Sequence, residues 1–187
     1  MVKTLILIRH AHRDTTRREL DNGLDEKGRE QARFLKRFFS ERFSVGEVNS
    51  GLWLVSSPKL RCVETLLPLA RSLERPVDIH PELSEQAVKE SRQSLERRVH
   101  AFLHEWTNSS IPLTLLCSHG DWLPVAVYHL LGLRQEFKKG AVGSRWSGTP
   151  DRPPSRATFL PLSPFTASGT AGAPNRILTG IGIAPGV

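Results

Sequence analysis

Three short stretches of this chain hold the residue types that phosphoryl chemistry requires. Arg9-His10-Ala11-His12-Arg13 follows the apolar run Leu5–Ile8, and Ser56-Ser57-Pro58-Lys59-Leu60-Arg61 follows Leu52–Val55. Ser118-His119-Gly120-Asp121 follows Leu113–Cys117. Transferring a phosphoryl group requires charge neutralisation, a nucleophile in line with the leaving oxygen, and a proton for that oxygen. The planar fork of arginine matches two phosphoryl oxygens, so Arg9 and Arg61 can grip the group from different sides. A neutral imidazole carries a lone pair near pH 7, which suits His10 as the nucleophile. A hydrogen bond from its other ring nitrogen to a backbone carbonyl would fix the required tautomer. His119, if protonated, adds a cationic donor aimed at the phosphoryl charge. A carboxylic acid on a separate loop would protonate the leaving group and then activate water.

The three apolar runs are short and bounded by polar turns, as in buried parallel strands. Helical segments lie between them. Asp25 caps a helix whose apolar stripe is Ala32, Leu35, Phe38 and Phe39. After Pro58, the positions Leu60, Val63, Leu67 and Ala70 repeat at helical spacing. From Ser91 to Trp106 the same holds for Leu95, Val99, Phe102, Leu103 and Trp106, and a fourth helix starts near Asp121 and stops at Gly132. This alternation predicts an α/β protein, a three-layer α/β/α arrangement around a mostly parallel sheet. In such sheets ligands bind outside the carboxyl ends of the strands, where all three polar clusters fall.

Length and composition fit one soluble domain of 187 residues, with 39% hydrophobic and 24% charged residues. Leu5–Ile8 is too short for a membrane span or a secretion signal, so a cytoplasmic protein without a membrane partner is expected. The net charge of +7 comes without basic runs or aromatic-basic alternation, so it suits anionic substrates and predicts no nucleic-acid partner. Cys62 and Cys117 form no CxxC pair and read as buried thiols. His10-x-His12 and His100-x-x-x-His104 have ligand-like spacings, but the second pair lies on a helix with no third ligand nearby. No metal or other cofactor is expected. His12 and Arg13 are expected to line the pocket mouth and bind substrate, with Arg17 and Arg18 as further steering charges. The last 47 residues hold seven prolines and one acidic residue, Asp151. That composition divides the chain into a domain over 1–142 and a poorly ordered Pro/Gly/Ser-rich tail over 143–187, in which Ala157–Leu162 can form a short strand.

Arg9-His10-Ala11, then Ser57-Pro58-Lys59-Leu60-Arg61, then Ser118-His119-Gly120 together resemble the histidine phosphatase superfamily, with its phosphoglycerate mutase-like fold. Leu24-Asp25-Glu26-Lys27-Gly28-Arg29-Glu30-Gln31-Ala32 is similar to the helix start after the family's first motif. Phe137-Lys138-Lys139-Gly140-Ala141 is similar to the turn after its fourth helix, so the resemblance spans roughly residues 3–142. It implies a phosphohistidine intermediate on His10 and a phosphate pocket of Arg9, Arg61 and His119. It also implies a proton donor in a Leu-x-Glu context. Leu83-Ser84-Glu85 fits that context, with Glu82 as the runner-up.

Thr16 stands where the mutase branch commonly has Asn, and only 57 residues separate Arg61 from His119. Both departures favour a compact branch similar to the SixA-type phosphohistidine phosphatases. The expected activity is a metal-independent phosphomonoesterase acting on a phosphorylated metabolite or a phosphohistidine in a protein. The alternatives are a phosphoglycerate mutase-like phosphotransferase and a phosphate-binding module without turnover. Oligomeric state is not readable.

The resemblance also implies an apolar strand after the Phe137–Ala141 turn, whereas Gly143-Ser144-Arg145-Trp146 leads into the Pro-rich tail. That strand is therefore expected to be missing or replaced. A change of reading frame near residue 143 would account for the departure. Sequencing the gene region should then reveal a family-like continuation in another frame, and an uninterrupted frame without one would sink the idea.

Overall fold

Alternate side chains of the first strand point to opposite faces of a sheet, and both faces are apolar. The computed structural model of the chain describes residues 3–17, 19–42, 51–134, 136–137, 142–148 and 157–160, with 42, 142–148 and 157–160 described by their backbone. In β1 (Lys3–Arg9), Leu5 and Leu7 enter one core while Ile6 and Ile8 enter the other. A strand buried on both sides requires a covering layer on each, which is the physical origin of the three layers.

Three more strands run parallel to β1: β2 (Leu52–Ser56), the short β3 (Asp78–Ile79) and β4 (Leu113–Ser118). One face is covered by α1 (Glu26–Arg42) and α2 (Leu60–Ser72), which contribute Leu35, Phe38, Cys62, Leu66 and Leu69 to the core around Ile6 and Ile8. The other face is covered by α3 (Arg92–Asn108) and α4 (Trp122–Leu131), with Phe102, Trp106 and Trp122 packed around Leu5 and Leu7. This is the three-layer α/β/α, phosphoglycerate mutase-like fold. None of the described helices is long and apolar enough to cross a membrane.

Local signals set the helix ends. The Asp25 carboxylate accepts from the Gly28 amide at 2.8 Å, and Ser91 accepts from Ser94 at 3.2 Å. Gly132 ends α4 at φ 67°, a left-handed conformation that suits a residue without a Cβ. Cys62 and Cys117 are both buried.

The face that α2 buries differs from the expected stripe. Leu60 is 43% exposed and Val63 and Leu67 are half-buried, whereas Arg61, Cys62, Thr65, Leu66, Leu69 and Ala70 are buried. The helix has two overlapping apolar arcs, and the sheet selects the one that also carries Arg61 and Thr65. Those polar residues can turn inward because they have partners there. The Thr65 hydroxyl, for example, donates to the Arg61 carbonyl at 2.7 Å.

Beyond β1 the sheet continues antiparallel. The strand order is β3-β2-β4-β1-β5-β6, where β5 (Val142–Gly148) pairs with β1 and β6 (Ala157–Leu160) pairs with β5. A polar strand thus stands at the place where an apolar one is implied. Its pairing with β1 shifts register between Ile6 and Ile8. The short strand read in Ala157–Leu162 is β6, and the division read after residue 142 falls within β5. Of the turn Phe137–Ala141 only Phe137 is described, and it is buried against α3 and α4. The rest of that turn, Arg18, and the tail outside β5 and β6 lie outside the described residues.

The two arcs of α2 make different stability predictions. Leu66→Ala should destabilise by about 2–5 kcal/mol, because it empties a buried site. Leu60→Ala should stay within about 0.5 kcal/mol. Urea denaturation of both variants checks this, and equal losses would contradict the burial assignment.

Candidate active site

The three expected clusters meet because their strands end level. Arg9 lies opposite Ser118, and Ser56 lies opposite Cys117. Two further hydrogen bonds carry the alignment one residue past the sheet, from the His10 amide to the Ser118 carbonyl at 3.1 Å and from the Ser57 amide to the Cys117 carbonyl at 3.0 Å. His10, Ser57 and His119 therefore emerge at one edge. The cavity there, of about 360 Å³, is lined by Arg9, His10, Arg13, Arg61, Glu85, His119, Gly120 and Asp121.

His10 is 5% exposed, and its Nδ1 lies 2.8 Å from the Ala11 carbonyl oxygen. A carbonyl can only accept, so Nδ1 carries the proton and Nε2 is the nitrogen with the lone pair. This is the tautomer that a nucleophile needs. The loop after His10 is pinned in turn, because the Ala11 amide donates to Thr65 Oγ1 at 2.9 Å and the His12 amide donates to Gln31 Oε1 at 2.8 Å.

Arg61 is 2% exposed and is the hub of the site. Its Nη2 donates to Glu85 Oε2 at 2.6 Å and reaches His119 Nδ1 at 3.3 Å, while Nη1 lies 3.6 Å from Asp21. Arginine has no acceptor, so His119 Nδ1 must be unprotonated and its proton sits on Nε2, 2.8 Å from Ser57 Oγ. His119 is therefore neutral in this arrangement, whereas the cationic role considered from the sequence requires a protonated ring. Burial, reinforced by Arg61 and the other nearby cations, pushes its pKa down to about 2. The His10 and His119 rings are tilted against each other at 5.4 Å.

Arg9 reaches the cavity from the end of β1, with Nη1 donating to the Phe137 carbonyl. Burial lowers its pKa, partly opposed by the charge of Asp121. Its guanidinium occupies the place of a side chain at 120, since a Cβ on Gly120 would lie 2.7 Å from Arg9 Cζ. Among the described residues, the buried Nε atoms of both Arg9 and Arg61 have no hydrogen-bond partner. Buried guanidinium donors left unpaired are costly, and an anion in the cavity is a natural partner for them.

The two candidate acids separate clearly. Glu85 lines the cavity, whereas the Glu82 carboxylate lies near His80 at 3.8 Å and is absent from the cavity wall. The loop carrying Glu85 is held from several sides. Arg98 donates to the carbonyls of Glu82 and Ser84 at 2.7 and 3.0 Å and grips both Glu90 carboxylate oxygens at 2.7 Å. Asp121 Oδ2 accepts from the Gln86 amide at 2.5 Å while its Oδ1 accepts from Trp122 at the start of α4. The sequence places Asp121 in the third polar cluster and at a helix start but does not show its hold on the Glu85 loop, and Arg98 carries no local signal because its partners lie in another segment.

His12 leaves the cavity. Its Nδ1 pairs with Asp25 at 2.5 Å, so it braces the start of α1 instead of lining the mouth as expected. Arg13 does line the cavity, and Arg17 is exposed nearby in sequence. His100 packs against the His129 ring at 4.3 Å and His104 against Asn108. Among the described residues no three metal-ligating side chains are grouped to hold an ion.

A model of the histidine phosphatase superfamily (branch 1) matches residues 5–89. Solved structures share the fold over most of the chain. The native structure of a mycobacterial glucosyl-3-phosphoglycerate phosphatase is 18% identical, with a TM-score of 0.68, covering 87% of this chain and 100% of that one. A putative alpha-ribazole-5'-P phosphatase from Escherichia coli is 19% identical, with a TM-score of 0.67 and coverages of 90% and 99%. A phosphoserine phosphatase from Entamoeba histolytica, solved with 3-phosphoglyceric acid, is 16% identical, with a TM-score of 0.60 and coverages of 77% and 90%. No curated protein matches the sequence.

The clamp on the Glu85 loop has a pH signature. The hydrogen bonds from Arg98 hold the Glu90 carboxyl at a pKa of about 2, below its ordinary 4.5. A depressed carboxylate stabilises the fold above its unfolded pKa, and that stabilisation is lost as pH falls toward the folded value. Glu90→Gln should therefore lower Tm at pH 7, with the gap to the unmodified protein closing between pH 4.5 and 2. A gap independent of pH would rule out the ionic contribution.

Proposed function

We propose that the chain is a member of the histidine phosphatase superfamily, whose model matches residues 5–89, and that it is a metal-independent phosphomonoesterase working through a phosphohistidine on His10. The observation that carries the reading is the His10 tautomer. Its Nδ1 is committed to the Ala11 carbonyl, and its Nε2 lone pair shares a cavity with Arg9 and Arg61. In the first step Nε2 attacks phosphorus, the bond to the leaving oxygen breaks, and protonated Glu85 gives that oxygen its proton. In the second step Glu85 takes a proton from water, the water oxygen bonds to phosphorus, and the N–P bond breaks to return His10. The loop that Arg98 and Asp121 hold keeps Glu85 within reach in both steps.

Arg9 and Arg61 neutralise the transferring group with otherwise unpaired buried donors. His119 supports this as a neutral residue, accepting from Arg61 and donating to Ser57, and so orients the Arg61 fork. A cavity of about 360 Å³ suits a small phosphorylated metabolite, the substrate class named for the proteins of similar fold.

The protein should release phosphate from p-nitrophenyl phosphate in the presence of EDTA, and His10→Ala should abolish the release. Acid-labile, base-stable label trapped on the protein would report the phosphohistidine. Glu85→Gln should lower kcat by about 10²-fold or more for alkyl phosphates and less for p-nitrophenyl phosphate, whose leaving group needs no proton. Activity lost to chelation would overturn the metal-independent mechanism. Binding of phosphate or vanadate without turnover would favour a binding module. A panel of phosphorylated metabolites and one phosphohistidine protein would identify the leaving group.

A further inference from the structure

Among the described residues, Arg13 is the cation of the cavity wall that has no partner. Arg61 is committed to Glu85, Asp21 and His119, and Arg9 to the Phe137 carbonyl. The carboxylates on the wall are committed too, Glu85 to Arg61 and Asp121 to the amides of Gln86 and Trp122. The Arg13 guanidinium, in contrast, makes no hydrogen bond or ion pair with any described residue, yet it faces the same cavity as His10.

Its backbone is fixed. Arg13 forms an antiparallel bridge with Leu24, and the next residue, Asp14, donates its amide to the Gly23 carbonyl at 2.9 Å. The Leu24 amide is anchored on Glu64 of α2 at 2.6 Å. A half-buried arginine on a braced backbone, lining the cavity, is already placed for a ligand, so less ordering cost opposes binding. The cavity has room for more than a phosphoryl group, and its charge is uneven. Arg9, Arg13 and Arg61 face Glu85 and Asp121, and the phosphoryl group engages Arg9 and Arg61 under the proposed function, on which this inference rests.

We propose that Arg13 forms a second anion subsite, so that the preferred substrate is a phosphomonoester whose leaving group carries a further anionic group, a carboxylate or a second phosphate. The planar fork of arginine fits either anion in two-point contact, and a charged hydrogen bond of this kind is worth about tenfold or more in affinity.

The test uses binding, so that it does not depend on turnover. Calorimetry on the full-length His10→Ala protein compares glycerol 3-phosphate, which has no second anion, with 3-phosphoglycerate and with 1,3-propanediol bisphosphate. At least one of the two dianchored ligands should bind about tenfold or more tightly than glycerol 3-phosphate, and which one does distinguishes carboxylate from phosphate. Adding Arg13→Gln should remove most of that difference. Arg13→Lys, which keeps the charge without the fork, should retain part of it, and melting curves verify that both variants are folded. Equal affinity for all three ligands, or a preference that survives Arg13→Gln, overturns the subsite. Failure of the native protein to hydrolyse p-nitrophenyl phosphate would instead count against the phosphatase reading and leave this comparison interpretable.

Discussion

The register between β1, β2 and β4 is the constraint on which the rest of the site depends. Side chains alternate along a strand, so a slip of one residue in β1 would exchange the Leu5/Leu7 face with the Ile6/Ile8 face and carry Arg9 to the wrong side. The apolar alternation that fills both cores therefore also fixes the direction in which Arg9 leaves the sheet. The three polar segments are aligned by backbone hydrogen bonds, and side-chain contacts such as Ser57–His119 and Arg61–His119 then join them. Packing energy spread over dozens of buried side chains thereby positions a handful of charged ones.

Around that frame the polar groups are shared. Arg61 touches the first loop through Asp21, the acid loop through Glu85 and the β4 cluster through His119. Asp121 joins the start of α4 to the acid loop, and Thr65 joins α2 to the segment after His10. A buried Arg61 beside a half-buried Arg9 would be unfavourable without such pairing. Burial beside them also explains why His119 stays neutral, a state set by its surroundings and not by the imidazole itself.

The fold and the centre of the site were legible in the sequence because both are written locally. Leu5–Ile8, Leu52–Val55 and Leu113–Cys117 announce strands, and the polar residues directly after each mark its end. The stripes on α1 and α3 were legible for the same reason. Long-range selection was not legible. α2 offers two apolar arcs, and only the sheet decides that Leu66 and Cys62 face inward while Leu60 faces out. His12 sits two residues from His10, yet Asp25 captures it. Arg98 reads as one more helix-face charge until the acid loop folds over it. The protonation state of His119 likewise depends on Arg61, distant in sequence, donating to its ring.

The contact between Arg9 and Gly120 ties together two positions on different strands. Because the guanidinium fills the space of a side chain at 120, the fitness of any residue there is conditional on what stands at position 9. A larger residue at 120 would require the Arg9 guanidinium to shift, so a substitution there acts first on the placement of Arg9 in the cavity wall.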